Sequence, residues 1–221
     1  MEPKTLDHVA FWLADRDAIA EYATRHLGMH VIDRTDNFTL IGSDARRGKL
    51  TLFAAEGPRE RGAFKHVALR VSDLGGATKN LPGPVVDLGQ DVEVHLVEAE
   101  TEVEYDLDHV ALYTRDPEAT AQQYLSYGFD RAESRDGVPR VEVGGAYVEF
   151  HEGDPSTPDK PLLNHIAVLV ESADEHKQDA EDAGIEVESF VDAANTLAVF
   201  LWGPDRVRIE YDEHKPTFSL T

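Results

Sequence analysis

The chain contains no cysteine, which excludes disulfides, thiolate metal ligands and a cysteine nucleophile. Any metal must therefore bind through His, Asp or Glu. Positive charge is also scarce, with 21 basic residues against 43 acidic ones and a net charge of −22. That balance excludes nucleic acid and anionic membrane as partners, because both need a basic footprint. No apolar run approaches the ~18 residues of a membrane span. The opening Met1-Glu2-Pro3-Lys4 has no signal-type apolar stretch, so a cytoplasmic location is expected.

What is present is enough to fold. Hydrophobic residues make up 41% of the 221, an ordinary share for a chain that buries a core. The acidic excess then reads as a solvated shell on a folded protein. It would strain the compact state by self-repulsion at low salt and be screened at molar salt, where the Debye length is about 3 Å. A halophilic, high-salt cytoplasm is the expected setting. Tm should rise between dilute buffer and molar KCl, and a Tm that stays constant would exclude this reading.

One short pattern is written four times: Leu6-Asp7-His8-Val9-Ala10, Phe64-Lys65-His66-Val67-Ala68, Leu107-Asp108-His109-Val110-Ala111 and Leu163-Asn164-His165-Ile166-Ala167. Each copy is a strand that places a histidine at an equivalent point. After each strand the chain turns toward a helix and then returns to strands. In the third repeat Asp116 is an N-cap, Pro117 takes the first helical position and Gly128 stops the helix. In the fourth, a polar helix over 172–183 ends at Gly184, and its charges read as a solvated face. Strands are predicted near 30–34, 37–42 and 48–54; near 129–135, 138–143 and 146–151; and near 185–190, 197–202 and 206–212. The second repeat is truncated, with strands only near 84–88 and 91–98. The fold class expected is α+β: four βαβββ modules paired into two domains with curved mixed sheets. Modules one and two would form an N-terminal domain (1–103), and modules three and four a C-terminal domain (104–221). Paired modules can assemble within or between chains, so a homodimer is compatible with the pattern.

Side chains alternate along a strand. In 207–212, Val207, Ile209 and Tyr211 should pack under helices, leaving Arg208, Glu210 and Asp212 on the concave side. In 146–151, Val148 and Phe150 pack, and Tyr147, Glu149 and His151 face the concavity. His109, His165 and Glu210 then form a two-histidine, one-carboxylate set, as in non-haem Fe(II) sites. Glu149 is positioned as a fourth ligand, and four ligands would suit Zn, Ni or Mn acting as a Lewis acid. In the first module, Leu50-Thr51-Leu52-Phe53 offers no carboxylate. His95 is the nearby donor of the truncated second module. The N-terminal domain is therefore expected to be metal-free, with His8 and His66 as inherited remnants. His214 to Phe218 reads as a flexible tail.

Four strand-helix-strand modules, each opening on a histidine, resemble the vicinal oxygen chelate superfamily, the group of glyoxalase I, bleomycin-resistance proteins and type I extradiol dioxygenases. The resemblance covers nearly the whole chain. Two tandem domains with the metal in the second are the extradiol dioxygenase plan, whose ligand positions fall here on His109, His165 and Glu210. By that resemblance Fe(II), or Mn, would chelate both oxygens of a catechol-like diol, bind O2 and cleave the adjacent ring bond. His151, Tyr147 or Tyr113 would handle protons, while Arg208 and Phe200 would contact substrate. The chain departs from the family pattern in three places. Phe200 stands where the family has Tyr, Ala146 falls near the family's acid–base His, and Glu149 occupies a position where glyoxalase-like members, not dioxygenases, carry a ligand. A glyoxalase-like isomerase or lyase, and a non-enzymatic resistance-type binding protein, are the alternative readings.

Overall fold

The computed structural model describes residues 1–43 and 48–218. Module one comprises β1 (Thr5–Leu13), α1 (Arg16–Tyr22), β2 (His30–Arg34), β3 (Phe38–Gly42) and β4 (Lys49–Ala54). Module two is shorter: β5 (Phe64–Val71), α2 (Leu74–Ala77), β6 (Val85–Asp87) and β7 (Glu93–Glu98). Module three comprises β8 (Asp106–Thr114), α3 (Pro117–Tyr124), β9 (Asp130–Arg131), β10 (Arg140–Val143) and β11 (Ala146–Glu152). Module four comprises β12 (Leu163–Leu169), α4 (Ala173–Asp182), β13 (Val187–Asp192), β14 (Thr196–Trp202) and β15 (Arg208–His214). The helix signals act as expected. Asp116 accepts from the Ala119 N–H, Ser172 accepts from Glu175, and left-handed Gly128 follows the 3-10 turn after α3. The strand expected over 129–135 is cut to β9, because Asp136 and Gly137 turn the chain at positive φ.

Two mixed sheets result. One has eight strands in the order β13-β14-β15-β12-β1-β4-β3-β2, and the other has seven in the order β6-β7-β5-β8-β11-β10-β9. Module one therefore joins module four, and module two joins module three. The expected grouping, divided at 103/104, is not the one the ladders make. The central pairings are antiparallel: Val9 lies opposite Ile166 in β1/β12, and Val67 opposite Val110 in β5/β8. Strand periodicity fixes which face of each opening strand is apolar, and all four offer nearly the same face. The repeat itself therefore carries no instruction about which two strands pair. One hydrophobic cluster draws on both sheets, with Phe11 of β1 packed edge-on against Phe64 of β5 at 5.0 Å. Gly144, at φ +57 in the β10–β11 turn, lies against the Lys4 carbonyl, where a Cβ would clash.

This pairing sets the sites. Val9, Phe11 and Leu13 enter the core, while His8 and Trp12 face a cavity on the opposite side of β1. In β15, Ile209 and Tyr211 are in the core, and Arg208, Glu210 and Asp212 line the same cavity. Among the described residues no helix is long and apolar enough to cross a membrane.

Candidate metal centre

Each module places two residues at equivalent points. One is the histidine of its opening strand. The other lies on its last strand, opposite the alanine two residues beyond that histidine. These second positions are Thr51 opposite Ala10, His95 opposite Ala68, Glu149 opposite Ala111 and Glu210 opposite Ala167. Because module one pairs with module four, the first sheet gathers His8, His165, Glu210 and Thr51.

The ligating atoms of His8, His165 and Glu210 converge. His8 Nε2 is 2.9 Å from His165 Nε2. Glu210 Oε2 lies 2.8 Å from His165 Nε2 and 3.2 Å from His8 Nε2. An octahedral ion with bonds of about 2.1 Å holds adjacent ligand atoms about 3.0 Å apart, so the three separations suit one face of such an ion. The rings are aimed from behind. His8 Nδ1 is 2.7 Å from Asp7 Oδ2, and His165 Nδ1 is 3.0 Å from Asn164 Oδ1. Each Nδ1–H donates to that oxygen, which turns the Nε2 lone pairs toward one point. Two lone pairs and a carboxylate facing one another at these distances require a cation, and Glu210 Oε2 is buried with no aligned hydrogen-bond donor among the described residues. The donors fit a divalent ion.

Without the ion a proton serves. Burial alone would lower the His8 pKa, but the hydrogen bond to Asp7 and the Glu210 carboxylate 3.2 Å from its Nε2 outweigh burial and raise it to about 9. Burial likewise opposes the Glu210 charge, yet the neighbouring imidazoles hold the carboxyl well below its usual range. Burial lowers His165 and keeps it neutral. In the metal-free protein, the raised His8 pKa contributes stability that is complete below pH 6.5 and lost as pH rises toward 9. A metal ion must displace the same proton, so affinity should strengthen from pH 6.5 to about 9 and then level off. Titrations of metal into apo-protein across this range would check the slope, and a flat profile would contradict it.

Asp7 is itself anchored. Fully buried, it meets Lys49 Nζ at 2.8 Å and His214 Nε2 at 3.3 Å. Burial opposes its charge, but Lys49, His214 and His8 together hold its pKa far below the usual range. His214 completes β15 rather than starting a loose tail, and the Phe218 ring stacks on it at 3.9 Å.

The triad opens into a cavity of about 590 Å³. Trp12, Phe38, Leu40, Phe53, Phe200 and Phe218 give it apolar walls, and Arg208 and Asp212 give it polar edges. Phe200 meets His165 edge-on at 5.3 Å. Arg208 stacks over Phe200 at 4.5 Å and donates to Asn164 Oδ1 at 2.6 Å and Glu188 Oε2 at 2.7 Å. Phe200 and Arg208 thus both line the cavity.

The remaining expected residues lie on the second sheet. His109 is not beside His165: its Nε2 is 3.0 Å from His66 Nε2 and 3.6 Å from Glu149 Oε2. Glu149 is consequently no fourth ligand to the His165–Glu210 pair. His151, Tyr147 and Tyr113 are on β11 and β8. There His151 Nδ1 contacts Lys65 Nζ at 2.9 Å, Arg140 covers the Tyr147 ring, and Lys65 lies over Tyr113. They do not line the cavity. The cause is the β1/β12 and β5/β8 pairing. His8, read as a remnant, takes the place assigned to His109. A signal for it was present: Asp7 precedes His8, as Asp108 precedes His109, and supplies the same 2.7 Å Nδ1 contact.

Comparison with known proteins agrees with this architecture. The Glyoxalase/Bleomycin resistance protein/Dioxygenase superfamily matches residues 5–82. No curated protein matches the chain by sequence. Among solved structures, a putative dioxygenase from Bacillus subtilis is similar over 98% of this chain and 87% of its own, at 14% identity and TM-score 0.79. A glyoxalase I mutant from Zea mays is similar over 95% of this chain and 92% of its own, at 15% identity and TM-score 0.73. The cppA protein from Streptococcus pneumoniae covers 96% of this chain and 98% of its own, at 11% identity and TM-score 0.63. The chain has the vicinal oxygen chelate fold along nearly its whole length, and its residues 5–82 carry the sequence pattern of the glyoxalase/bleomycin-resistance/dioxygenase superfamily.

Proposed function

We propose that the chain is a metal-dependent enzyme of the ring-cleaving extradiol dioxygenase type, acting on a small aromatic vicinal diol. His8, His165 and Glu210 would hold the ion, Fe(II) by preference and Mn(II) otherwise. The observation that carries this reading is Thr51. It stands at the fourth equivalent position, where the other three modules present His95, Glu149 and Glu210. Two imidazoles and one carboxylate form a three-ligand set, whereas a glyoxalase-like isomerase would need a fourth donor there. Such an ion, when bound, supplies a Lewis-acid and redox centre with open positions for two diol oxygens and O2.

The chain's own residues do the rest. Asp7 and Asn164 orient the imidazoles. Trp12, Phe38, Phe53 and Phe200 offer flat apolar surface to an aromatic ring and keep water from it. Arg208, stacked on Phe200, presents positive charge at the cavity edge, where a diol or a carboxylated ring would sit. Asp212 lines the cavity with its Oδ2 3.4 Å from His214 Nε2. This pair takes the proton-handling place that His151, Tyr147 and Tyr113 do not reach.

Apo-protein loaded anaerobically with Fe(II) and mixed with a panel of catechols in air should consume oxygen and form coloured ring-opened products. Bound iron with no oxygen uptake across the panel would overturn the dioxygenase reading. Tight catechol binding without turnover would then favour a sequestering protein.

A further inference from the structure

The cavity extends well past the triad. In the β14/β15 ladder Phe200 lies opposite Glu210, Ala198 opposite Asp212 and Thr196 opposite His214. At the rise of an extended strand, the step from Glu210 to His214 carries the chain about 13 Å away from the triad. The side chains lining the cavity on this stretch are small: Ala193, Ala194, Thr196 and Ala198. Phe218 then closes the far end. Its ring lines the cavity, stacks on His214 at 3.9 Å with planes at 4°, and lies 5.4 Å from the Lys49 ammonium.

The segment that carries this ring is held lightly. Residues 215–218 contain no fully buried residue, and Pro216 and Thr217 are exposed. The Lys215 N–H donates to the Asn195 carbonyl at 2.8 Å, and the Thr217 hydroxyl to the Ala194 carbonyl at 3.1 Å. The Lys215 ammonium pairs with Asp192 and the Ala193 carbonyl. The Phe218 N–H turns back onto the Lys215 carbonyl at 2.8 Å. These ties all run to the β13–β14 turn or lie within the segment, so it can lift by breaking surface hydrogen bonds and one ring stack while both sheets stay intact. Segments with few buried contacts and solvent-exposed hydrogen bonds are the ones that open most readily. We propose that residues 215–218 are a gate on the cavity and that Phe218 sets the length of the substrate it takes. The strap lifts to admit the ring, and when it closes Phe218 stops a substituent that runs from the triad over Ala198 and Thr196. The preferred diol then bears a short uncharged substituent, because Ala193, Ala194 and Ala198 offer it no countercharge. This inference rests on the triad cavity being the substrate site.

Hydrogen exchange on the metal-free protein reads the gate without any ligand. The Lys215 and Phe218 amides should exchange about 100-fold faster than that of Tyr211 in β15. Lys215→Met cuts the ties to Asp192 and Ala193, and should speed the Phe218 amide about tenfold further while leaving Tyr211 unchanged. Zinc-loaded protein is then mixed with nitrocatechol or the longer phenylcatechol in a stopped-flow cell. Lys215→Met should bind nitrocatechol about tenfold faster than wild type, with little change in Kd, because opening a gate speeds entry and exit alike. Phe218→Ala should gain about tenfold in affinity for phenylcatechol relative to nitrocatechol. Wild-type exchange and wild-type binding rates in Lys215→Met would overturn the gate. An unchanged preference between the two catechols in Phe218→Ala would overturn the length limit. If neither catechol binds zinc-loaded wild type, the diol reading fails on its own. The gate is then decided by exchange at 215–218 and by the rate at which EDTA strips zinc, which should be about tenfold faster in Lys215→Met; equal exchange and equal stripping would overturn it.

Discussion

His8→Ala should strip the cavity of its ion, while His109→Ala should leave that ion in place. His8 contributes one of three ligating atoms, with its Nε2 2.9 Å from His165 Nε2 and 3.2 Å from Glu210 Oε2. Losing an outer-shell partner commonly costs a metal site roughly 10–100-fold in affinity, and losing a ligand costs more. His109 touches His66, Asp108 and Glu149 on the other sheet. Competition titrations with a chelating indicator should therefore show more than a 100-fold loss for His8→Ala, and less than a threefold change at that site for His109→Ala. The reverse ranking would show that the modules pair one with two and three with four in solution. The measurement thus reads out the sheet topology as well as the ligand set.

Lys49→Met should destabilise the protein by about 3–5 kcal/mol, the usual cost of stranding one partner of a buried ion pair. Lys49 is 2% exposed and its ammonium lies 2.8 Å from Asp7, which is fully buried. Without it the Asp7 carboxylate keeps, among the described residues, His8 and His214 as partners. For a chain of this size the loss corresponds to a drop in Tm of roughly 6–20 °C. Removing both charges should cost far less, since a buried ion pair replaced by neutral groups is often near neutral. Asp7→Asn combined with Lys49→Met should therefore recover most of the stability. It should also retain the metal, because Asn164 already shows an amide oxygen holding the Nδ1 of His165. A Tm within 2 °C of wild type for Lys49→Met alone would contradict the picture of a pair isolated from solvent.

Much of this arrangement could be read from the sequence, and the limits have a physical cause. The strand periods, the Asp116-Pro117 and Ser172 helix starts and the concave set Arg208-Glu210-Asp212 are local features. They depend on alternation and on capping within a few residues, and the structure reproduces them. His165 with Glu210 was legible for the same reason, since both belong to adjacent parallel strands of one module. His8 was not. Its partner strand lies more than 150 residues away, and the opening strands of all four modules carry nearly the same apolar face. Backbone ladders do not discriminate among such strands, so the choice of partner rests on packing between modules. The same gap explains His109, Glu149, His151, Tyr147 and Tyr113. Each was placed on the correct face of its strand, and all five followed module three to the other sheet.

The central claim is that His8, His165 and Glu210 grip one ion. Crystals of Fe(II)- or Mn(II)-loaded protein, with anomalous data collected at the metal edge, test it most directly. The account predicts a peak about 2.0–2.3 Å from His8 Nε2, His165 Nε2 and Glu210 Oε2 together. A loaded protein whose peak at this position is absent, or whose ion is bound by His109 and His165 in common, would contradict it.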